Sequence, residues 1–293
     1  MFSSVSYQTG CQETHASKSG LNLMKFGEML IQPGTLLQYD WYKSWEGRES
    51  LLSILHRNMH HRKLFGLLEE PLLPVQFSSS DVQYKIFVSG RSGVGKTSAL
   101  AKLSGNEVPT MHSETPGIQT QVVYWPAKLV QTNKIVMFRL HFWDAGDAAL
   151  KKFDHILPAC KENADAVVFH FSFTDRGSFE DLPRHMARIV SPSDNTCKLV
   201  LGTKYDQLAH SDVTHQELRE FEQQYKIPVL KIANIANYEQ SELQTEVHEV
   251  APVLNTLCEY LWRRDQVAAG VLQTERQTDE QRHSDEDQMV LYF

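Results

Sequence analysis

Cysteine is scarce. The 293 residues hold four, Cys11, Cys160, Cys197 and Cys258, with no C-x-x-C pair among them. That scatter offers neither a zinc site nor a disulfide framework, and it reads as a reduced, intracellular protein. Long apolar runs are also missing: no stretch approaches the ~20 residues a membrane-spanning helix needs. The N-terminus lacks the basic-then-apolar pattern of a secretory signal. Positive charge is not in excess either, since 29 basic residues against 36 acidic ones leave a formal net charge of −7. Nucleic-acid binding, which calls for a basic surface, is therefore not expected. The C-terminal Met289-Val-Leu-Tyr-Phe293 has no cysteine to prenylate, and Phe2 stands where myristoylation requires glycine. No lipid anchor is expected, so any membrane contact would be indirect or made through the N-terminal region.

What is present is a core-forming composition, 41% hydrophobic and 10% aromatic, and one glycine-rich stretch that organises the chain. Gly90, Arg91, Ser92, Gly93, Val94, Gly95, Lys96 and Thr97 fit the pattern G-x-x-x-x-G-K-[ST]. Tyr84-Lys-Ile-Phe-Val-Ser89 before them reads as a buried strand. Ser98-Ala-Leu-Ala-Lys-Leu103 after them reads as a helix ended by Gly105. Strand, loop and helix bring bare backbone N–H groups and a positive helix end around an anion. Lys96 would reach the β- and γ-phosphates of a nucleotide, and the Thr97 hydroxyl would hold Mg2+. A chance glycine loop is the bland alternative, and the flanking strand and helix argue against it.

The rest of the chain divides around this centre. Residues 1–34, rich in Ser, Gln and Gly, read as disordered. Residues 35–80 form an N-terminal extension with an aromatic cluster, Tyr39, Trp41, Tyr42 and Trp45. Leu51, Leu52, Ile54, Leu55 and Met59 follow at the spacing of an amphipathic helix, which packs on the nucleotide domain or docks a partner. His56, His60 and His61 read as a polar face rather than a metal site. Residues 81–268 alternate strand and helix patterns, the signature of an α/β domain with a mostly parallel sheet. An antiparallel hairpin is expected around a turn at Pro126 to Asn133. Helices are expected near 149–160, 178–190, 214–225 and 251–266, with Pro252 tolerable only in a first turn. Residues 269–293 are polar and acidic and read as a disordered tail.

Thr203-Lys-Tyr-Asp206 follows the strand Lys198–Gly202 and points to guanine. A carboxylate there accepts from the guanine N1–H and N2–H2 groups together, and adenine lacks that pair. Lys204 would lie over base and ribose.

These motifs resemble those of Ras-superfamily small GTPases of the Rab-like branch. Thr115 stands nineteen residues after Lys96 (115 − 96), the interval that small GTPases keep to a threonine in their first switch loop. Thr115-Pro-Gly-Ile118 is similar to the T-I-G-V of Rabs, and Trp143-Asp144-Ala145-Gly146 to W-D-T-A-G. Ile232-Ala233-Asn234 stands in the place of S-A-K, which implies an Ala233 N–H at the guanine O6. Segments such as Leu64–Glu69, Gly117-Ile-Gln-Thr120, Ala149–Asp154 and Asp265–Gly270 resemble the Rem- and Rab-like small GTPases of the ciliogenesis and planar-polarity effector group. The resemblance implies a six-stranded P-loop G domain that binds GTP or GDP with Mg2+. It also implies Thr97, Thr115 and Asp144 around the metal, and a γ-phosphate contact from Gly146. Partners would be planar-polarity effectors of the Fuzzy and Inturned type. The place would be the cytoplasm and the ciliary basal body, in cilium assembly and intraflagellar-transport recruitment.

Two departures bear on mechanism. Asp144-Ala-Gly146 is one residue shorter than D-x-x-G, which displaces the contacts expected of Asp144 and Gly146. After the glycine, where small GTPases carry a glutamine that orients water, stand Asp147 and Ala148. Slow hydrolysis is the expectation, with a GTP-bound interaction module that never turns over as its rival. A P-loop kinase acting on ATP is the remoter alternative.

Overall fold

The alternating pattern becomes a six-stranded sheet in the computed structural model, which describes residues 30–54, 80–106, 108–111, 113–191, 194–233 and 243–272. The strands are β1 (Ser80–Ser89), β2 (Ile118–Lys128), β3 (Ile135–Ala145), β4 (Ala166–Ser172), β5 (Cys197–Thr203) and β6 (Val229–Lys231), in the order β2-β3-β1-β4-β5-β6. Only β2 pairs antiparallel, with β3; every other neighbour is parallel. All seven residues of β4 are buried. That is why its sequence is a continuous apolar run, as expected of a strand covered on both faces.

Strand periodicity divides the core. Tyr84, Ile86 and Val88 of β1 face one cluster, completed by Leu100 and Leu103 of α2 (Lys96–Leu103) and by α8 (Leu243–Ala268). Phe87 faces the other with Phe169, Phe171 and Phe173. There it meets α3 (Asp147–Lys152), α4 (Ile156–Lys161), α5 (Arg176–Glu180), α6 (Leu182–Ile189) and α7 (His215–Tyr225). Phe138, Phe142, Phe169, Phe171 and Phe173 are all core, as their strand positions implied.

Several boundaries differ from the sequence expectation. The hairpin turn is confined to 129–134, and Pro126 sits within β2 opposite Met137. β2 is an edge strand, where proline's missing N–H costs no ladder bond. The helix expected over 149–160 is two, α3 and α4, and that over 178–190 breaks at Asp181 between α5 and α6. Pro252 lies inside α8 rather than in its first turn. An interior proline loses one backbone bond. Burial of Val250, Ala251, Val253 and Leu254 against the sheet offsets that loss. The histidines at 56, 60 and 61 and most of the polar C-terminal tail lie outside the described residues.

The described part of the N-terminal extension, within residues 30–54, packs onto the domain. Glu259 of α8 is 1% exposed. Its Oε1 accepts from the N–H of Leu36 (2.7 Å) and Leu37 (3.3 Å) and from the Thr35 hydroxyl (3.2 Å), and its Oε2 from the N–H of Gly34 (3.0 Å). Leu37 bridges Leu129, and the Gln38 N–H donates to the Lys128 carbonyl (2.8 Å), which covers the end of the β2 edge. The Trp125 indole N–H donates to Asn255 Oδ1 (2.8 Å), and the same amide donates to the Tyr39 carbonyl (3.1 Å). Beyond a 3-10 turn at Trp41–Lys43, α1 (Trp45–Ile54) follows. Its Glu46 pairs with Lys128 (2.5 Å) and accepts from the buried Trp41 indole (3.0 Å). Trp45 alone of the aromatic cluster projects outward, 82% exposed.

Glu259→Ala strands three backbone N–H groups and a hydroxyl at once. The expected loss is about 2–4 kcal/mol of stability, since each buried donor left unpaired costs ~1–3 kcal/mol and part of the segment relaxes into water. Urea unfolding of Glu259→Ala, with Glu259→Gln as a milder comparison, measures it, and an unchanged midpoint would refute the clamp.

Candidate nucleotide-binding site

At the carboxyl ends of β1, β3 and β5 lies a cavity of about 750 Å3. Parallel sheets place ligands at that edge. The loop after β1 forms its floor. Gly90 rests so closely on the His170 carbonyl of β4 that a Cβ would come within 2.6 Å of it. Lys96, 7% exposed, folds back so that its Nζ donates to the carbonyls of Gly90 (2.9 Å) and Arg91 (3.1 Å). Burial lowers the Lys96 pKa, while Asp144, Asp147 and Glu114 around it pull the other way. One ammonium thus faces three carboxylates.

Three oxygens converge beside it. The Thr97 hydroxyl, in the first turn of α2, donates to Asp144 Oδ2 at 2.5 Å. Thr115 Oγ1 lies 3.1 Å from Thr97 Oγ1 and 3.3 Å from Asp144 Oδ2. Asp144, near the end of β3, is 2% exposed, and its Oδ1 has no hydrogen-bond partner among the described residues. An unpaired buried carboxylate oxygen beside two hydroxyls is a set of hard donors, and it fits Mg2+.

The shortened motif changes how the chain leaves β3. The Gly146 N–H donates to the Gly117 carbonyl (3.0 Å), extending the β2–β3 pairing by one step. Gly146 also packs on the Thr115 carbonyl so tightly that a Cβ would collide with it. The amide expected to meet a γ-phosphate is therefore engaged within the chain. The Ala148 N–H donates to Glu114 Oε1 (3.0 Å). Asp147, 8% exposed, accepts through Oδ2 from the Ser92 N–H (3.3 Å) and from Lys151 Nζ (2.7 Å). Burial would raise the Asp147 pKa, but Lys151, the Ser92 N–H and Lys96 together hold it below the usual carboxylate range.

Lys204 and Asp206 line the cavity from the loop after β5, Lys204 in the left-handed region at φ 56°. Thr203 is fully buried behind them. Its hydroxyl contacts the Val94 carbonyl of the glycine loop and the Phe171 carbonyl (3.1 Å), so it braces the loop from beneath. The Tyr205 N–H donates to the Ile232 carbonyl (3.2 Å), and the Ile232 N–H to that of Gly202 (2.9 Å), which sets Ala233 beside the same loop.

Of the residues expected at the site, Ser92, Gly93, Gly95, Lys96, Thr97 and Ser98 line the cavity. So do Thr115, Gly146, Lys204 and Asp206. Gly90, Val94, Thr203 and Ala233 stand behind or beside it. Asp144 lies beneath the two threonines. Arg91 turns away, its guanidinium 3.6 Å from Asp181. Glu114 was not expected at the site. Its only signal was a carboxylate next to Thr115.

A P-loop, a threonine–aspartate oxygen cluster and a carboxylate after β5, on this strand order, define a nucleotide-binding domain of the Ras type. A model of the Ras family matches residues 85–251. The chain belongs to the Ras family, and that membership implies guanine-nucleotide binding. More particularly, it is 49% identical over 245 residues to ciliogenesis and planar polarity effector 2 of Homo sapiens, covering 82% of this chain and 94% of that protein. The Xenopus tropicalis protein of that name is 50% identical over 82% of this chain and 96% of its own. Ras-related protein Rab-12 of Homo sapiens is 26% identical over 50% of this chain and 57% of its own.

His170, beneath the glycine loop, gives the domain an acid limit. The ring is 2% exposed, and its Nδ1 lies 3.1 Å from the Val168 carbonyl. Burial, and then the Lys96 charge, push its pKa down to about 3. The unfolded chain binds that proton near pH 6.5, so between about pH 6.5 and 3 it holds more protons than the folded one. Stability is expected to fall by roughly 1 kcal/mol per pH unit across that window. Urea midpoints at pH 7 and pH 5 measure it, and His170→Gln should flatten the dependence.

Proposed function

We propose that the protein is a guanine-nucleotide switch with slow GTP hydrolysis. It acts with planar-polarity effectors of the Fuzzy and Inturned type at the basal body, in cilium assembly and intraflagellar-transport recruitment. The observation that carries the switch reading is the convergence of Thr97, Thr115 and Asp144 beside Lys96, in the cavity that Asp206 also lines. The biological setting rests on the likeness to proteins named as ciliogenesis and planar polarity effectors.

In this reading the loop Gly90–Lys96 cradles the phosphates and Lys96 leaves the Gly90 and Arg91 carbonyls to meet them. Asp206 accepts from the guanine edge, with Lys204 over the base, Ala233 near O6 and Thr203 bracing the loop. Thr97, Thr115 and Asp144 would hold Mg2+, which when bound neutralises phosphate charge. Holding Thr115, and with it the Gly146 packed on its carbonyl, orders the two loops that face a partner, and their release follows hydrolysis. Met111, 83% exposed at the cavity mouth, belongs to that face.

The rival reading, a GTP-bound interaction module without turnover, draws on the engaged Gly146 amide and on Asp147 in the glutamine position. Asp147 would set like charge beside a γ-phosphate, and its Oδ2 is engaged by the Ser92 N–H and Lys151, while Ala148 has no side-chain group to orient an attacking water.

Two measurements test these readings. Protein denatured after purification should release GTP or GDP, chelation of magnesium should speed nucleotide loss, and Asp206→Ala should weaken guanine binding roughly ten- to a hundredfold, the cost of hydrogen bonds to a charged acceptor. Absence of any bound guanine nucleotide, with none taken up alongside magnesium, would sink the switch and its rival together. Single-turnover hydrolysis should run below roughly 3 × 10⁻⁴ s⁻¹, the intrinsic Ras rate. A rate at or above that figure would overturn the slow-hydrolysis claim, and an undetectable one would favour the module.

A further inference from the structure

The nucleotide reading gives the Asp147 carboxylate no role of its own. Asp147 is the first residue of α3, buried, and its Oδ2 accepts the Ser92 N–H of the glycine loop at 3.3 Å. Ser92, Lys96 and Asp147 line the same cavity. The Asp206 end of that cavity follows β5 and the Asp147 end follows β3, three strand spacings apart in the sheet order. At about 4.8 Å per spacing that separation is roughly 14 Å, so a nucleotide with its base at Asp206 directs its last phosphate toward Asp147. A fixed carboxylate already occupies an amide that an anion would claim there.

We infer that Asp147 is an internal anion at the terminal-phosphate end of the cavity, and that it sets the preference between guanosine di- and triphosphate. The inference rests on the nucleotide reading above. A diphosphate leaves the Asp147–Ser92 contact intact. A triphosphate brings a second anion to the same amide, and like charges at that range in a partly desolvated pocket repel. The carboxylate therefore swings away, and α3 moves with it because Asp147 starts that helix and pairs with Lys151 one turn on (2.7 Å). In this way the protein reads the third phosphate by expelling its own side chain.

The test compares equilibrium affinities of the full chain for fluorescent GDP and a fluorescent non-hydrolysable GTP analogue, in wild type and in Asp147→Asn. The asparagine keeps shape and removes charge. The expected result is a shift of at least tenfold in the triphosphate-to-diphosphate affinity ratio, in favour of the triphosphate. A ratio within twofold of wild type would overturn the inference while leaving nucleotide binding standing. Failure of wild type to bind either nucleotide would remove both. Hydrogen exchange on the wild-type chain supplies a readout that does not depend on the variant folding. Amides of Ser92 and residues 147–152 should exchange faster with the triphosphate analogue than with GDP, and equal protection in the two states counts against the inference.

Discussion

The buried carboxylate of Asp144 is where three remote stretches of chain become one site. It takes the hydroxyl of Thr97 at 2.5 Å and stands 3.3 Å from that of Thr115, so the end of β3, the start of α2 and the loop before β2 are held by one side chain. Taking an ionised group this far from water costs several kcal/mol unless something repays it. Two hydroxyls repay part, and Oδ1 stays without a partner among the described residues. A buried carboxylate oxygen left in this way beneath two hydroxyls suits an external cation, which is the role the proposed reading gives it. The floor of the cavity tells the same story, with Lys96 set among Asp144, Asp147 and Glu114. Without a cation, a triphosphate entering this cavity would meet more negative charge than positive.

The N-terminal extension works at the opposite pole of the domain. Glu259 holds the 34–37 segment through four hydrogen bonds, and Tyr39, Asn255 and Trp125 form a chain that links extension, α8 and hairpin. The hairpin it braces is the one whose other end leads to Thr115, in the loop before β2, and to Asp144 on β3. The extension thereby braces the ends of β2 and β3 that lie away from the nucleotide cavity. Its seat in cis leaves Trp45 as the aromatic side chain of the cluster that faces outward.

Local chemistry made much of this legible before any coordinates. Gly90–Thr97 announces itself because a phosphate cradle needs glycine and lysine at fixed intervals, and Thr203–Asp206 because it sits at a strand end. The strands before Gly90 and before Thr203 followed from short apolar runs, and the count of six from the family resemblance. What stayed hidden were contacts set by tertiary geometry. The Asp147–Ser92 contact spans 55 residues and the Glu259 clamp 223. No periodicity encodes a carboxylate chosen to satisfy amides that far away. Pro252 misled for a related reason: propensity forbids an interior proline, but the burial of its neighbours outweighs propensity once α8 is docked.

The missing residue between Asp144 and Gly146 shows how a small change in length redirects chemistry. With one residue fewer, β3 runs straight into α3, and the Gly146 N–H completes a rung with Gly117. The helix then opens on Asp147, whose carboxylate turns back to the glycine loop, and the next amide, Ala148, is taken by Glu114. Two bonds, Gly146 to Gly117 and Ala148 to Glu114, lash the loop before β2 to the start of α3, and Asp147 lashes α3 to the P-loop. Such a junction has no slack. A longer loop lets the two flanking segments respond separately to a ligand, whereas here neither moves without breaking a bond to the other. Asp147, which stands where small GTPases carry a glutamine, closes this tie to the glycine loop, so the cavity and its rim are joined by hydrogen bonds on both sides of the junction.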